Sequence, residues 1–213
     1  MDNGKEEYFL NSQCYIDIGT KDEIKLEEVI LSINSGVIIK STELNQFSSI
    51  DETNYKYLML ENINDIIIGF HLPNLIKIDD QYKEYCVKDN SLVISKLAPF
   101  RVGMVHLKEE EEILIIGNLY FIEIDESKVN PFFVEAFLQS EKGICQLNKN
   151  AKGSAIKNIS IQDLKGIQIP NLSREKQEEV AEEFKNLCVN LNLLHLEEDV
   201  INYMKRTIFE ERI

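Results

Sequence analysis

The sequence predicts an α+β protein: a mixed, mainly antiparallel sheet domain with short helices, followed by a long C-terminal helix of coiled-coil type. Three observations carry that prediction. Short β-branched runs separated by turn formers fill the first two thirds of the chain, among them Ser91-Leu-Val-Ile-Ser95 and Ile113-Leu-Ile-Ile116. Asn130-Pro131, a capping residue before a proline suited to the first helical position, then opens a helical pattern. Last, Val180, Phe184, Leu187, Leu191 and Leu194 step by 4, 3, 4 and 3 residues, the spacing of a coiled-coil seam.

In chain order, residues 1–22 are polar and carry no clear pattern. Ile24, Val29 and Ile30 are spaced for a short helix ending near Ser35-Gly36. Val37-Ile-Ile reads as a strand and Ser41 to Asn54 as a polar loop rich in turn formers. Tyr55 to Phe70 reads as one or two strands around Glu61-Asn62-Ile63. Leu75 to Ile78, Ser91 to Leu97 and Val102 to Leu107 add β segments, with Pro99 and Arg101 in a turn. The helix from Asn130 carries Phe133, Val134, Phe137 and Leu138 on one face and is expected to close at Gly143. Ser160-Ile-Gln-Asp163 is a capping pattern for a helix of one or two turns, and Ile167-Gln-Ile169 a strand stopped by Pro170. Ser173 caps the last helix, supported by Glu175. Run to Arg212, that helix would be roughly 58 Å long. Glu198 and Lys205 interrupt its seam around Ile201, and Leu193, Leu196, Val200, Tyr203 and Met204 form a second stripe. The helix outruns what its own domain can cover, so the seam is expected to pack on a second copy or a partner. A helix folded back in two pieces onto the sheet is the alternative.

Length fits one domain plus an appendage, divided here as a globular part at 1–172 and a long helix at 173–213. No segment has the apolar length of a membrane span, and Met1 to Glu7 lacks the order of a secretion signal. The expected location is the cytoplasm. Cys14, Cys86, Cys145 and Cys188 are scattered, which predicts four reduced thiols rather than a zinc site. The formal charge is −14, and such a surface repels a polyanion at long range. The charge is uneven, however. Lys142, Lys149, Lys152, Lys157 and Lys165 face only Asp163 in their stretch, while acid gathers at Glu109 to Glu112 and along the last helix.

Nothing in the sequence points to catalysis, a metal or a cofactor. His71, His106 and His195 are isolated, with no metal-ligand spacing to a cysteine or to one another. No phosphate loop or Gly-x-Ser-x-Gly occurs. Asn130-Pro131-Phe132-Phe133 is similar to the Asn-Pro-Pro-aromatic motif of amino-methyltransferases, but it lacks the second proline and an upstream glycine-rich cofactor loop. Helix capping accounts for the same residues.

Candidate polar contacts fall in three segments. Lys149, Lys152, Ser154 and Lys157 combine charge, a hydroxyl and the close backbone approach that Gly153 permits, a set suited to phosphate oxygens. Lys40, Asn45, Gln46 and Lys56 form the second group; Asn and Gln are the side chains suited to bidentate adenine contacts. Lys96 and Arg101 bracket a turn and complete the set. Interface candidates are Val180, Phe184, Leu187, Leu191, Leu194 and Ile201. Each polar group reads equally as ordinary solvated surface.

One ordered set of motifs goes further. Gly117-Asn118-Leu119-Tyr120, Asn130-Pro131, Phe137-Leu138-Gln-Ser140, Gly143, Gly153-Ser154, Ile159-Ser160, Leu164, Ile169-Pro170 and Gln177 occur in that order. Tyr57-Leu58, Asn62-Ile63 and Asn90 to Ser95 precede them, with Asp89-Asn90 where a Gly-Asp is usual. From about Ile24 to Leu187 the chain resembles a target recognition domain of the specificity subunit of type I restriction–modification systems. The resemblance implies a non-catalytic module that reads double-stranded DNA for an adenine methyltransferase. Members of that family usually carry two such domains separated by two long helices, so this chain resembles half a subunit. Pairing of two copies through the last helix would restore the pattern. An acidic coiled-coil adaptor or decoy with the same fold and no DNA binding of its own is the alternative.

Overall fold

A computed structural model describes residues 22–64, 67–68 and 72–208. Two four-stranded sheets form the body. One has the order β2-β11-β8-β9, built from β2 (Ile30–Ser35), β8 (Leu92–Ser95), β9 (Val102–Met104) and β11 (Leu119–Ile124), all antiparallel. The other has the order β10-β4-β7-β3, from β3 (Ser48–Ser49), β4 (Tyr55–Leu58), β7 (Asn74–Leu75) and β10 (Glu112–Ile115). Its β10–β4 pair is parallel, which makes the architecture mixed. Small pairs, β1 (Glu23–Lys25) with β12 (Gln168–Pro170) and β5 (Ile63–Asn64) with β6 (Ile67–Ile68), complete the strands.

The chain passes between the sheets at two glycines. Gly36 donates to the Leu119 carbonyl and Gly117 to the Val37 carbonyl, each at 2.8 Å. Gly117 holds φ +79, which side-chain-bearing residues adopt at a cost, and so turns β10 into β11. Gly-Asn-Leu-Tyr is therefore a crossing point first and a motif second.

Helices cover the β2-β11-β8-β9 sheet. Asn130 accepts from the Phe132 N–H and caps α2 (Pro131–Gln139), whose Phe133, Val134, Phe137 and Leu138 enter the core with Ile94, Tyr120 and Ile122. The expected stop at Gly143 is not where the helix ends. Ser140 ends α2 and caps α3 (Glu141–Asn150), so Gly143 lies in the first turn of the next helix. A Cβ there would stand 2.1 Å from the Phe137 carbonyl oxygen, so the residue is small because two helix ends meet over it. Ser160 caps the short α4 (Ile161–Lys165) and Ser173 caps α5 (Arg174–Thr207), both as the sequence predicts.

Other expectations fail as well, among them a strand at Val37-Ile-Ile, where only Val37 bridges to Ile116. Residues 24–35 are not helical: β1 gives one 3₁₀ turn at Leu26–Glu28 and then β2. Pairing with β11 overrides the helical spacing of the isoleucines. Conversely, the supposed loop from Ser41 begins as α1 (Ser41–Phe47), anchored by the buried Leu44. Cys86 and Cys188 are free thiols, but Cys145 is disulfide-bonded, against the expectation of four reduced cysteines; spacing in sequence says nothing of proximity in the fold. Residues 1–21, with Cys14, and His71 lie outside the described residues.

α5 is one unbroken helix of 34 residues, about 51 Å long, so the two-piece alternative does not hold. Only its first part touches the body, where Gln177 and Ala181 are buried against α2. The Gln177 amide forms part of the join, with Arg174 donating to the Glu126 carbonyl at 2.9 Å. Its Oε1 accepts from the Asn130 backbone N–H at 2.8 Å, and its Nε2 donates to the Leu172 carbonyl at 2.9 Å.

Candidate functional site

Two of the three candidate polar segments are stitched together. The Ala98 N–H donates to the Lys157 carbonyl at 2.9 Å, and the Ile159 N–H donates to the Lys96 carbonyl at 3.0 Å. Lys152 and Asn158 exchange backbone hydrogen bonds at 2.8 Å, closing residues 152–158 into a tight loop. Gly153 has φ +127, and a Cβ there would stand 2.3 Å from the Ile156 carbonyl oxygen. The loop leaves Lys149, Lys152, Ser154 and Lys157 exposed around one rim. Lys96 directly follows β8; its ammonium donates to the Gly117 carbonyl at 3.3 Å, stands 5.0 Å from the Tyr120 ring centroid and is pulled below its ordinary pKa by burial.

The third segment connects through the glycine crossing. Val37, three residues before Lys40, accepts from the same Gly117 whose carbonyl holds Lys96. Lys40 precedes α1, and Asn45 and Gln46 are exposed on that helix rather than on a loop.

Lys56 and Arg101 do not join this surface. Lys56 is 5% exposed, held at 2.7 Å from Glu52 and 3.4 Å from Glu111. Burial pulls its ammonium pKa down, but the bond to Glu52 and the Glu111 charge outweigh that and leave it raised. Its charge serves the fold. Arg101 directs Nη1 at the carbonyls of Leu60 (3.1 Å) and Ile63 (2.8 Å), tying the β5 region to the end of β9. A signal for Lys56 was present in the sequence: in an alternating strand it shares a face with Leu58, which is buried.

Lys152 also has an acid partner, Asp163, whose carboxyl is held below its ordinary pKa by the Ser160 hydroxyl and by Lys152 itself. The Lys152 side chain is 78% exposed. An ion pair this exposed is screened by water and holds the Lys152 ammonium only weakly.

The far part of α5 presents a second surface. Leu187 and Leu194 are exposed, Phe184 and Leu191 half-buried, and Val180 and Ile201 exposed. Val189, Leu193, Leu196, Val200 and Tyr203 repeat the 4-3-4-3 spacing two residues out of phase, and all are exposed, Tyr203 to 65%. Two residues correspond to about 200° round a helix. The helix therefore carries two apolar seams on nearly opposite faces, partly covered by the body as far as Asn192 and exposed after it.

The described residues hold no group of three or more side chains suited to a metal ion, and no helix is long and apolar enough to cross a membrane. Missed by the sequence reading is a cavity beside α5, lined by the buried Glu135 among others.

No family model and no curated protein matches the chain. Solved structures do. The S subunit of a type I restriction–modification system from M. genitalium superposes with a TM-score of 0.56 and 15% identity, over 93% of this chain and 46% of that one. The HsdS subunit from Thermoanaerobacter tengcongensis gives 0.53 and 13%, over 89% and 45%. The type IIG restriction endonuclease BpuSI gives 0.58 and 10%, over 84% and 28%. The chain spans about half the length of the S subunits it matches. The likeness is one of fold: one α+β domain that ends in a long helix, as the ordered motifs led us to expect.

Proposed function

We propose that this chain is a non-catalytic, sequence-specific DNA-recognition module that brings a type I adenine methyltransferase to its target. The observation that carries this reading is the S-subunit fold over about nine tenths of the chain, with the motif order intact. Lys40, Asn45, Gln46, Lys96, Lys149, Lys152, Ser154 and Lys157 form the footprint; Lys56 and Arg101 drop out of it because the fold engages them. The lysines and Ser154 take phosphate oxygens, and Asn45 and Gln46 are placed on a helix end for base edges.

One helix seam, Leu187 to Ile201, pairs with a second copy in antiparallel fashion. That arrangement sets two identical domains about a two-fold axis, so the DNA site is an inverted repeat with a fixed gap. The opposite seam, Val189 to Tyr203, remains for the methyltransferase subunit. Its contribution also answers the charge problem, because a net of −14 favours phosphate contacts shared with a partner.

The test is duplex binding across a salt series, with and without the methyltransferase. Recognition requires a log-linear loss with salt and a preference between sequences. Replacing Lys152 and Lys157 together with Glu should weaken all sequences alike and lower the salt slope by about two. Binding that ignores both salt and sequence would leave the acidic adaptor reading, which the exposed seams and net charge favour.

A further inference from the structure

Where α5 leaves the body it forms one wall of a cavity of about 530 Å³, a volume in the range of small-molecule sites. Residues of and after β9 supply the floor, α2 contributes Phe132 and Glu135, and α5 contributes Phe184, Cys188 and Val189. Apolar side chains dominate the walls, charged and polar groups such as Lys108, Lys185, His106 and Asn192 stand among them, and Glu135 is the most deeply buried acid. That residue is 5% exposed. Its Oε1 accepts from the Met104 N–H at 2.9 Å and from the Gln139 amide at 3.2 Å. Its Oε2 takes no hydrogen bond from a described residue, and the side chain lines the cavity.

A donor brought to that oxygen through the cavity would gain a hydrogen bond to a carboxylate that the protein itself leaves unused. Positive charge is already nearby: the Lys185 ammonium stands 3.5 Å from the Phe132 ring centroid, and that ring stacks on His106 at 5.4 Å. Lys185 also pulls on Glu135 electrostatically. A second cation in this space would meet Lys185 and Lys108, so the donor that fits is uncharged. His106 and Asn192 on the same walls offer partners for a ring nitrogen.

We propose that this cavity binds a neutral amino-substituted heteroaromatic molecule, of nucleobase size or somewhat larger, with its exocyclic amino group on Glu135 Oε2. The site lies where the helix meets the body, so occupancy stiffens that joint.

The test compares 2-aminobenzothiazole with benzothiazole by calorimetric titration of the whole chain, without DNA or partner. The amino compound should bind at least about tenfold more tightly, as expected for a hydrogen bond to a buried carboxylate. Glu135→Gln, which turns an amide donor toward the cavity, should abolish that preference. Val189→Trp, at an exposed position on the wall, should exclude both compounds without touching the core. The preference should widen as pH rises through 7, because burial raises Glu135 to about 7. The other ionisable groups facing it are Lys185, Lys108, Lys56 with its partner Glu111, His106, whose pKa burial lowers, and the Cys188 thiol, pushed up to about 11 by burial. Equal affinity for both compounds, a preference that survives Glu135→Gln, or no binding to the wild-type chain overturns the assignment. None of these results bears on DNA recognition, since no DNA is present.

Discussion

Replacing Gln177 with Ala should loosen the long helix on the domain, because its amide bridges Asn130 of the body and Leu172 ahead of the helix, and its loss leaves only the Arg174–Glu126 bond and side-chain packing to hold the joint. The side chain is 5% exposed, and its truncation strips partners from the Asn130 N–H and the Leu172 carbonyl. Leaving a buried backbone group unsatisfied costs about 1–3 kcal/mol. Both residues are half-buried, so water recovers part of that and the expected total is about 2–4 kcal/mol. Gln177→Glu should fall between wild type and Ala: it keeps an acceptor for Asn130 but sets a carboxylate against the Leu172 carbonyl. The assay is urea denaturation followed by far-UV circular dichroism, with exposed Gln162→Ala as a control expected to stay within about 0.5 kcal/mol. A Gln177→Ala chain within 0.5 kcal/mol of wild type would refute the idea that this amide holds the helix to the body.

Three further outcomes follow from the same structure. Glu135 sits at about 7 against an ordinary 4.5, so between those pH values the folded chain keeps a proton that the unfolded chain has released. Stability should therefore fall as pH rises across that window, by about 3 kcal/mol, and denaturation midpoints of Glu135→Gln should lack this slope. Gly143→Ala drives a methyl into the backbone where α2 and α3 meet and should cost at least about 1–3 kcal/mol in thermal unfolding. Leu187→Glu with Leu191→Glu should give a folded monomer by sedimentation with much weaker methyltransferase or DNA binding; wild-type chains that stay monomeric at high concentration, alone and with methyltransferase, rule out helix pairing.

Capping chemistry was the most legible part of the sequence, because a cap is a local event: Asn130, Ser160 and Ser173 each accept the backbone N–H that their positions predict. Residues 24–35 were misread because the pairing partner of Ile30 to Ser35 lies about ninety residues downstream, in β11, and no local spacing records it. α1 escaped because a helix of two turns buries only Leu44 fully. Among the site candidates, exposed lysines on the 152–158 loop were legible from glycine and charge together. Arg101 was not, since its fate depends on the carbonyls of Leu60 and Ile63, about forty residues away, whereas Lys56 showed only through the alternation that sets it on the face of Leu58 and through Glu52 four residues before it. Glu135 was hidden in plain apolar company, flanked by Val134 and Ala136, where helical spacing alone cannot tell a buried acid from a solvated one.

Strand β9 ends its sheet, and α2 lies along it. Gln139 donates to the Val102 carbonyl and Glu135 accepts from the Met104 N–H, so two side chains one helical turn apart occupy the backbone groups that a further strand would need. This border of the sheet is thus sealed against strand addition, the route by which β proteins stack into unlimited aggregates. The helix seams obey different arithmetic. In the proposed antiparallel pairing, one partner fills a seam and growth through that seam then stops, whereas an open strand edge would go on recruiting copies.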